Sequence, residues 1–167
     1  MYKFSHKYIS PMEYRAANKI FHKIKSYIKE NYKCRVKKVG SLRRKCPIVN
    51  DIDFLIVSKN KTILQEIALK HSKVLESGNF RKKIYLKKYK IKIDLFYTEP
   101  TALAFALLHH TGNKNFNIRI RSHAKKRGLK LNQYGLFKGD KKYTFKTERE
   151  ILDYLNITYK SPSERSK

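Results

Sequence analysis

Three aspartates in apolar surroundings are the residues of this sequence whose types and spacing suit chemistry. Asp51 and Asp53 lie two positions apart in DIDFLIVS, and Asp94 lies in IKIDLFY. Both runs are typical of buried strands, and residues two apart on a strand point to the same face. Carboxylates in such strands need a partner, because an unpaired buried charge is costly. Since hard carboxylate oxygens suit Mg²⁺ or Mn²⁺, the pattern predicts a two-ion site for phosphoryl transfer.

A loop just upstream gives the aspartate pattern its meaning, because Asp-x-Asp alone is weak and lysine salt bridges would also neutralise these acids. Gly40-Ser41 stands ten residues before Asp51 and is followed by Leu42, Arg43 and Arg44. A strand that ends in Gly-Ser exposes backbone N–H groups and a hydroxyl that suit a phosphate oxygen. The two arginines add charge-assisted contacts to a triphosphate. The alternative is a plain β-turn with solvated arginines.

The net charge indicates the class of partner. Forty Lys and Arg residues against thirteen Asp and Glu give +27, spread over the whole length. Self-repulsion of that size destabilises a compact state, and a polyanion such as nucleic acid relieves it. An anionic membrane surface is the alternative, but no apolar run approaches the roughly 18–20 residues that span a bilayer. No signal-peptide pattern opens the chain, so an intracellular location is expected, in the virion or the host-cell cytoplasm or nucleus if the protein is viral.

The elements that must position these residues follow from periodicity and turn signals. Helices are predicted at 10–31, 62–71, 101–110, 113–127 and 147–155, the last with a capping box between Thr147 and Glu150. Strands are predicted at 33–39, 51–58, 73–77, 80–88, 91–97, 130–137 and 142–145. Irregular alternation favours an α+β fold with a mixed or mostly antiparallel sheet and a lobe boundary near Pro100. The polar segment 159–167 is expected at the surface. Cys34 and Cys46 fit reduced thiols, and a disulfide between them stays open.

The order Gly-Ser, Asp-x-Asp and a third Asp resembles the nucleotidyltransferase superfamily. GSLRR followed by DIDFLI resembles the palm of the family X DNA polymerases, the group of DNA polymerase beta. HHTGNKNFNIRIR, SHAKKRGLKLNQY and the final YKSPSER are similar to that family's second lobe. The resemblance covers nearly the whole chain from residue 10 onward. It implies a nucleotidyltransferase palm in residues 1–100 and a small α/β C-terminal lobe in residues 101–167.

Residue roles are carried over from this resemblance by position. It implies that Asp51, Asp53 and Asp94 are catalytic and bind two Mg²⁺ ions, with Mn²⁺ as a substitute, and that Asp94 lies near a primer 3′-OH. Nucleotide contacts are implied for Gly40, Ser41, Arg44, Asn50, His109, Thr111, Gly112 and Asn117. DNA contacts are implied for Arg119, Arg121 and Lys125.

Two departures from the family pattern lie close to the implied nucleotide. His109 and His110 stand where the family has Tyr-Phe, so sugar selection is expected to differ, and the rings could donate hydrogen bonds or protons. The alternative interpretation is that the two histidines are simply polar residues at a helix C-terminus, where the helix dipole favours them. The loop 47–50 lacks the Ser-Gly that the family often has there, which puts one phosphate contact in doubt.

The function implied is that of a template-directed, gap-filling DNA polymerase. The resemblance is to the minimal two-lobed family X polymerases of some large DNA viruses, with palm and C-terminal lobe alone. The expected partners are gapped or nicked double-stranded DNA and dNTPs, with no membrane, and the expected state is a monomer. The alternatives are a template-independent or RNA-acting nucleotidyltransferase on the same palm, and a non-catalytic nucleic-acid-binding protein.

Overall fold

The computed structural model describes residues 11–166, so the predicted start of the first helix at residue 10 lies outside the described part. The helices are α1 (Tyr14–Asn31), α2 (Gly40–Arg43), α3 (Ile63–Glu66), α4 (Leu103–Thr111), α5 (Lys114–Lys126) and α6 (Glu148–Tyr154). The strands are β1 (Met12–Glu13), β2 (Arg35–Lys38), β3 (Ile48–Val49), β4 (Asp51–Val57), β5 (Ser72–Ser77), β6 (Arg81–Leu86), β7 (Ile91–Thr98), β8 (Lys130–Asn132), β9 (Gly135–Lys138) and β10 (Lys141–Tyr143). Short 3₁₀ turns occupy Lys87–Tyr89, Pro100–Ala102 and Pro162–Ser166.

A five-stranded sheet forms the first part of the fold, with the strand order β2-β4-β7-β6-β5. Strands β4 and β7 pair in parallel, whereas the other neighbours are antiparallel. This confirms the predicted mixed sheet. The parallel pair lies at the centre, and its apolar residues are buried on both faces of the sheet, as a central strand requires.

The two faces of this sheet are covered differently. On one face, alternate residues of β4 pack under the apolar stripe of α1, where the rings of Phe21 and Phe54 stack at 4.6 Å. The other face carries Leu55 and Val57, which pack against Ala106 of α4. Since Asp51 and Asp53 share this second face, α4 covers the sheet beside the carboxylates.

A three-stranded sheet, in the order β10-β9-β8, packs with α4, α5 and α6 around a second core. The predicted strand 130–137 is wrong, because it is a hairpin of β8 and β9. The Asn132 side chain accepts hydrogen bonds from the backbone of Tyr134 and Gly135 and so forms the turn. Thr147 caps α6 by accepting from the Glu150 amide at 3.2 Å, as predicted. The lobe boundary near Pro100 stays a prediction, since α4 contributes to the core of both parts.

Two further expectations are wrong for tertiary reasons. The predicted helix 62–71 ends at Glu66. The buried Lys82 ammonium donates to the Ile67 carbonyl at 2.6 Å, and the Ala68 amide donates to the Tyr32 hydroxyl, so the backbone beyond Glu66 is bound by other elements. The segment 159–167 does not lie wholly at the surface, because Arg165 is buried. Sequence periodicity gives no sign of the contacts from Lys82 and Tyr32 or of the burial of Arg165.

Cys34 and Cys46 are free thiols in the structure. Within residues 11–166, no helix combines the length and the apolarity that crossing a membrane requires.

Candidate active site

The three aspartates meet on the α4 side of the five-stranded sheet. Asp53 of β4 lies directly opposite Asp94 of β7 in the parallel register, and Asp51 is two residues away on the same face. One carboxylate oxygen from each residue lies within 4.8 Å of the others. Two β-strands with fixed pairing thus hold three oxygen ligands at a spacing that one divalent cation can bridge.

The carboxylates perturb one another strongly. Burial, then the neighbouring Asp51 and Asp94, raises the pKa of Asp53 to about 8. Burial and Asp94 also raise the pKa of Asp51, although Lys83, Lys92 and Arg81 act in the opposite direction. Without a cation, the site therefore retains a proton near neutral pH. A hard divalent cation fits this donor set, because it would replace the proton and remove the repulsion.

Asp94 has an ion-pair partner that the sequence analysis missed. Arg81 of β6 donates from Nε and Nη2 to the two oxygens of Asp94, each at 3.1 Å. Its register partner on β7 is Phe96, so the side chain reaches Asp94 diagonally across the strands. Thirteen residues separate the pair in sequence, and the spacing gives no signal of the contact until the strands are paired.

Position 40 requires glycine because the backbone there lies against the Asp53 carboxylate. Strand β2 runs antiparallel to β4, and the Val39 amide donates to the Asp53 carbonyl at 3.2 Å. Gly40 then adopts φ +61°, and a Cβ at this position would lie 1.8 Å from Asp53 Oδ2. A side chain at position 40 is therefore excluded both by the backbone conformation and by the carboxylate.

An open cleft of about 340 Å³ connects the carboxylates to the second half of the chain. It is lined by Gly40, Ser41, Arg44, Asp51, Asp53, Phe96, His109, His110, Thr111, Gly112, Asn113, Lys114 and Asn117. Asn50 does not line it and is exposed. The structure thus brings together every sequence-predicted nucleotide contact except Asn50.

Two polar atoms at this cleft are buried without a partner. Ser41 Oγ has no hydrogen bond, and Asn117 Oδ1 has none although its Nδ2 donates to the His109 carbonyl at 2.7 Å. Buried polar groups are rarely left unpaired, so such atoms indicate a missing ligand or solvent molecule. Both belong to residues predicted to contact a nucleotide.

His109 and His110 are neutral at physiological pH. Burial and Arg121 lower the pKa of His109 to about 4, and burial with His109, Arg81 and Arg121 lowers that of His110 to about 3. The rings can still donate a hydrogen bond, but neither holds a transferable proton near pH 7. A dipole-stabilised cation at the end of α4 is excluded for the same reason.

The two rings are fixed by different neighbours. The His110 ring stacks on Phe96 with centroids 4.2 Å apart. The Arg121 guanidinium contacts His109 Nδ1, so Arg121 reaches from α5 to the edge of the cleft. Arg119 and Lys125 are exposed on α5, and Arg119 lies over Phe116 of its own helix.

The two arginines after Gly40-Ser41 have different surroundings. Arg44 lines the cleft, and its Nη1 donates to the Thr111 carbonyl at 2.5 Å. Arg43 forms a fork with Glu148 of α6, at 3.1 and 2.5 Å. The expectation that both arginines serve a triphosphate is therefore wrong for Arg43, which is engaged by Glu148 instead.

Glu148 is the centre of a buried ion network. Arg165 donates to its Oε1 at 2.7 Å, and the Arg165 side chain is fully buried. Burial alone would raise the pKa of Glu148, but Arg43 and Arg165 outweigh it and lower that pKa. The network ties the Gly40-Ser41 loop to α6 and to the segment after it. Arg165 was missed because nothing in a polar, charged segment indicates which residue is buried.

Known proteins resemble this chain in sequence and in structure. The family model described as DNA polymerase beta thumb matches residues 106–166. Repair DNA polymerase X of African swine fever virus is 36% identical over 138 residues, which cover 76% of this chain and 79% of that protein. DNA polymerase/3′-5′ exonuclease PolX of Bacillus subtilis is 30% identical over 77% of this chain and 24% of that protein. Polymerase beta of Leishmania infantum, solved as a ternary gap complex, superposes with a TM-score of 0.80 at 18% identity, covering 95% of this chain and 71% of that one.

The raised pKa of Asp53 predicts a pH-dependent stability. Between 3.8 and about 8, the unfolded chain has lost the Asp53 proton while the folded chain keeps it. The free energy of unfolding of the metal-free protein therefore falls as pH rises through this window, and Asp53→Asn flattens the fall. Urea unfolding of both proteins across the window, with EDTA, measures this. Asp140→Asn, an exposed acid in a turn, is the control, and equal slopes for wild type and Asp53→Asn would contradict the prediction.

The Glu148 network predicts a large loss of stability when its acid is removed. Glu148→Gln leaves Arg43 and Arg165 facing each other without a counter-charge, at an expected cost of about 3–5 kcal/mol in the free energy of unfolding. Asp153→Asn removes an exposed acid from the same helix and should cost less than about 0.5 kcal/mol. Urea denaturation compares them, and similar midpoints for the two variants would show that the network contributes little.

Proposed function

The chain belongs to the family X DNA polymerases, and we propose that it is a template-directed, gap-filling repair polymerase that adds dNTPs to a primer 3′-OH. One observation carries the proposal. Asp51 and Asp53, two of the three clustered carboxylates, line the same cleft as the unpartnered Ser41 hydroxyl and Arg44. Divalent-cation ligands and triphosphate ligands are thus adjacent, as nucleotidyl transfer requires.

The proposed roles at the metal site follow from position. Asp51 and Asp53 would hold two Mg²⁺ ions, with Asp94 as a further ligand on the primer side. When bound, these ions supply Lewis acid for the 3′-OH and for the pyrophosphate leaving group. Asp94 would orient the primer hydroxyl, because it lies on β7, beyond β4 from the Ser41 loop, and does not line the cleft with Ser41 and Arg44. Mn²⁺ is expected to substitute, since the ligands are carboxylate oxygens.

The proposed nucleotide site is the remainder of the cleft. Ser41 Oγ would donate to a phosphate oxygen, and Arg44 would supply charge to the triphosphate. Asn117 Oδ1 and the Thr111-Gly112 turn would meet the base and sugar, with the neutral His109 ring as a hydrogen-bond partner of the sugar. A contact from Asn50 requires the loop before β4 to move towards the cleft.

The DNA is proposed to lie along the basic helix α5. Arg119, Arg121 and Lys125 are exposed on that helix, and the net charge of +27 suits extensive phosphate contact. We further propose that the protein acts as a monomer in the cell interior or, if viral, in the virion or the host-cell cytoplasm or nucleus. A template-independent or RNA-acting enzyme and a non-catalytic binder are not favoured, because the relatives are named as DNA polymerases.

Removal of single carboxylates tests the catalytic proposal. Asp51→Asn, Asp53→Asn and Asp94→Asn should each abolish incorporation, because each loses a cation ligand, while affinity for gapped DNA persists. A gap-filling assay with each dNTP against each template base, in Mg²⁺ and in Mn²⁺, measures incorporation. Asp140→Asn is the matched control in an exposed turn. Normal extension by any of the three site variants would refute the metal assignment. Equal extension of single-stranded primers by the wild type would favour template-independent addition.

Salt dependence tests how the DNA is held. If Lys and Arg neutralise about six phosphates, affinity for gapped duplex should fall by about 10³-fold between about 50 and about 200 mM salt. Fluorescence anisotropy with a labelled gapped duplex measures the slope. Lys125→Gln should reduce the magnitude of that slope by about one unit in a plot of log K against log salt. If affinity did not depend on salt concentration, contacts to the DNA phosphates would not dominate binding.

A further inference from the structure

The Arg81–Asp94 ion pair occupies the carboxylate on which a cation would also depend. Both Asp94 oxygens receive a hydrogen bond from Arg81, from Nε and from Nη2. Asp94 is only 4% exposed, so few directions of approach remain to it. A bidentate fork of this kind is among the stronger ion-pair geometries in proteins and fixes the plane of the carboxylate.

An aromatic stack limits where the Arg81 side chain can go. Its guanidinium carbon lies 5.6 Å from the centroid of the Phe96 ring, and that ring stacks in turn on His110. A cation over an aromatic face is held by the ring quadrupole. The Phe96 ring thus helps to hold the Arg81 side chain, which is 40% exposed, beside Asp94.

The other two aspartates differ in this respect. Among the residues that the structure describes, the salt bridges include none to Asp51 or Asp53. Asp94 therefore differs from them in having a guanidinium paired with its carboxylate. A cation shared by the three residues would therefore bind an Asp94 oxygen that already accepts a hydrogen bond from Arg81.

We propose that Arg81 is a positioning residue that orients the Asp94 carboxylate toward Asp53 and competes with the divalent cation for its oxygens. The inference rests on the proposed function, since it assumes that Asp94 binds the cation. A bound cation and Arg81 would draw on the same carboxylate oxygens, so each would weaken the binding of the other, while the fork would keep the carboxylate in plane. Arg81 thereby lowers the affinity of Asp94 for the cation and fixes the orientation of the Asp94 carboxylate.

Binding of Mn²⁺ alone tests the competition. Electron paramagnetic resonance of free Mn²⁺, titrated with full-length protein without DNA or nucleotide, gives the affinity. Arg81→Gln should bind Mn²⁺ about tenfold more tightly, because the competing charged hydrogen bonds are lost. In gap filling at saturating Mn²⁺, the same variant should lose about tenfold or more in kcat, with the KM for dNTP little changed, because the carboxylate is no longer held in plane.

Two comparisons separate the fork from a general effect of charge. Lys83→Gln removes the same charge from the same face of β6 but leaves the fork intact, so it should tighten Mn²⁺ binding less. In an Asp94→Asn background, Arg81→Gln should tighten Mn²⁺ binding no more than Lys83→Gln does, because the shared carboxylate is gone and only the general effect of charge on Asp51 and Asp53 remains. Equal tightening in Arg81→Gln and Lys83→Gln would overturn the inference, and so would an undiminished effect in the Asp94→Asn background.

The outcome also separates this inference from the proposed function. If wild type binds Mn²⁺ and fills gaps but Arg81→Gln matches it in affinity and kcat, only the role of Arg81 is wrong. If wild type neither binds Mn²⁺ nor extends a primer, the proposed function itself is wrong.

Discussion

The parallel pairing of β4 with β7 is the constraint on which the rest of the site depends. It sets Asp53 opposite Asp94 and places Asp51 on the same face, so the three carboxylates lie close together and the pKa of Asp53 rises to about 8. A slip of one residue between the strands would move one set of acids to the opposite, α1-covered face. The packing of α1 on that face therefore supports the register of the acids although no α1 residue lines the cleft.

The basic side chains near this cluster are arranged unevenly, so the two sides of the site differ. On one side, Ser41 and Arg44 border the cleft and leave a hydroxyl without a partner. On the other side, Arg81 is already bound to Asp94, and Lys83 and Lys92 lie near enough to affect Asp51. In-line displacement needs a leaving group and a nucleophile on opposite sides of the reacting phosphorus, and the asymmetry of charge agrees with that geometry.

The sequence predicts the features that follow from the periodicity of a single strand or helix. It does not predict the ion pairs and hydrogen bonds that form between elements. Asp51 and Asp53 are two apart on a strand, so their common face follows from strand geometry, and the mixed sheet follows from the apolar runs. Arg81 could not be distinguished from the many other basic residues, because its partner is on a neighbouring strand. The same applies to Glu148 and Arg165, whose pairing joins segments 17 residues apart. The predicted helix 62–71 fails for a related reason, since Lys82 and Tyr32 bind the backbone that would have continued it.

Gly40 joins the phosphate loop and the carboxylate cluster at a single atomic contact, and this has a consequence for how the enzyme can be engineered. A Cβ at position 40 would overlap Asp53 Oδ2 at 1.8 Å, so the loop cannot be altered there without moving a cation ligand. A library that randomises residues 40–44 and selects for activity should return glycine at the first position. Variation in substrate choice must then enter through other positions of the cleft, such as His109, which lies on α4 and not on the strands that carry the carboxylates. The chemistry and the selectivity of this fold are in that sense separately evolvable.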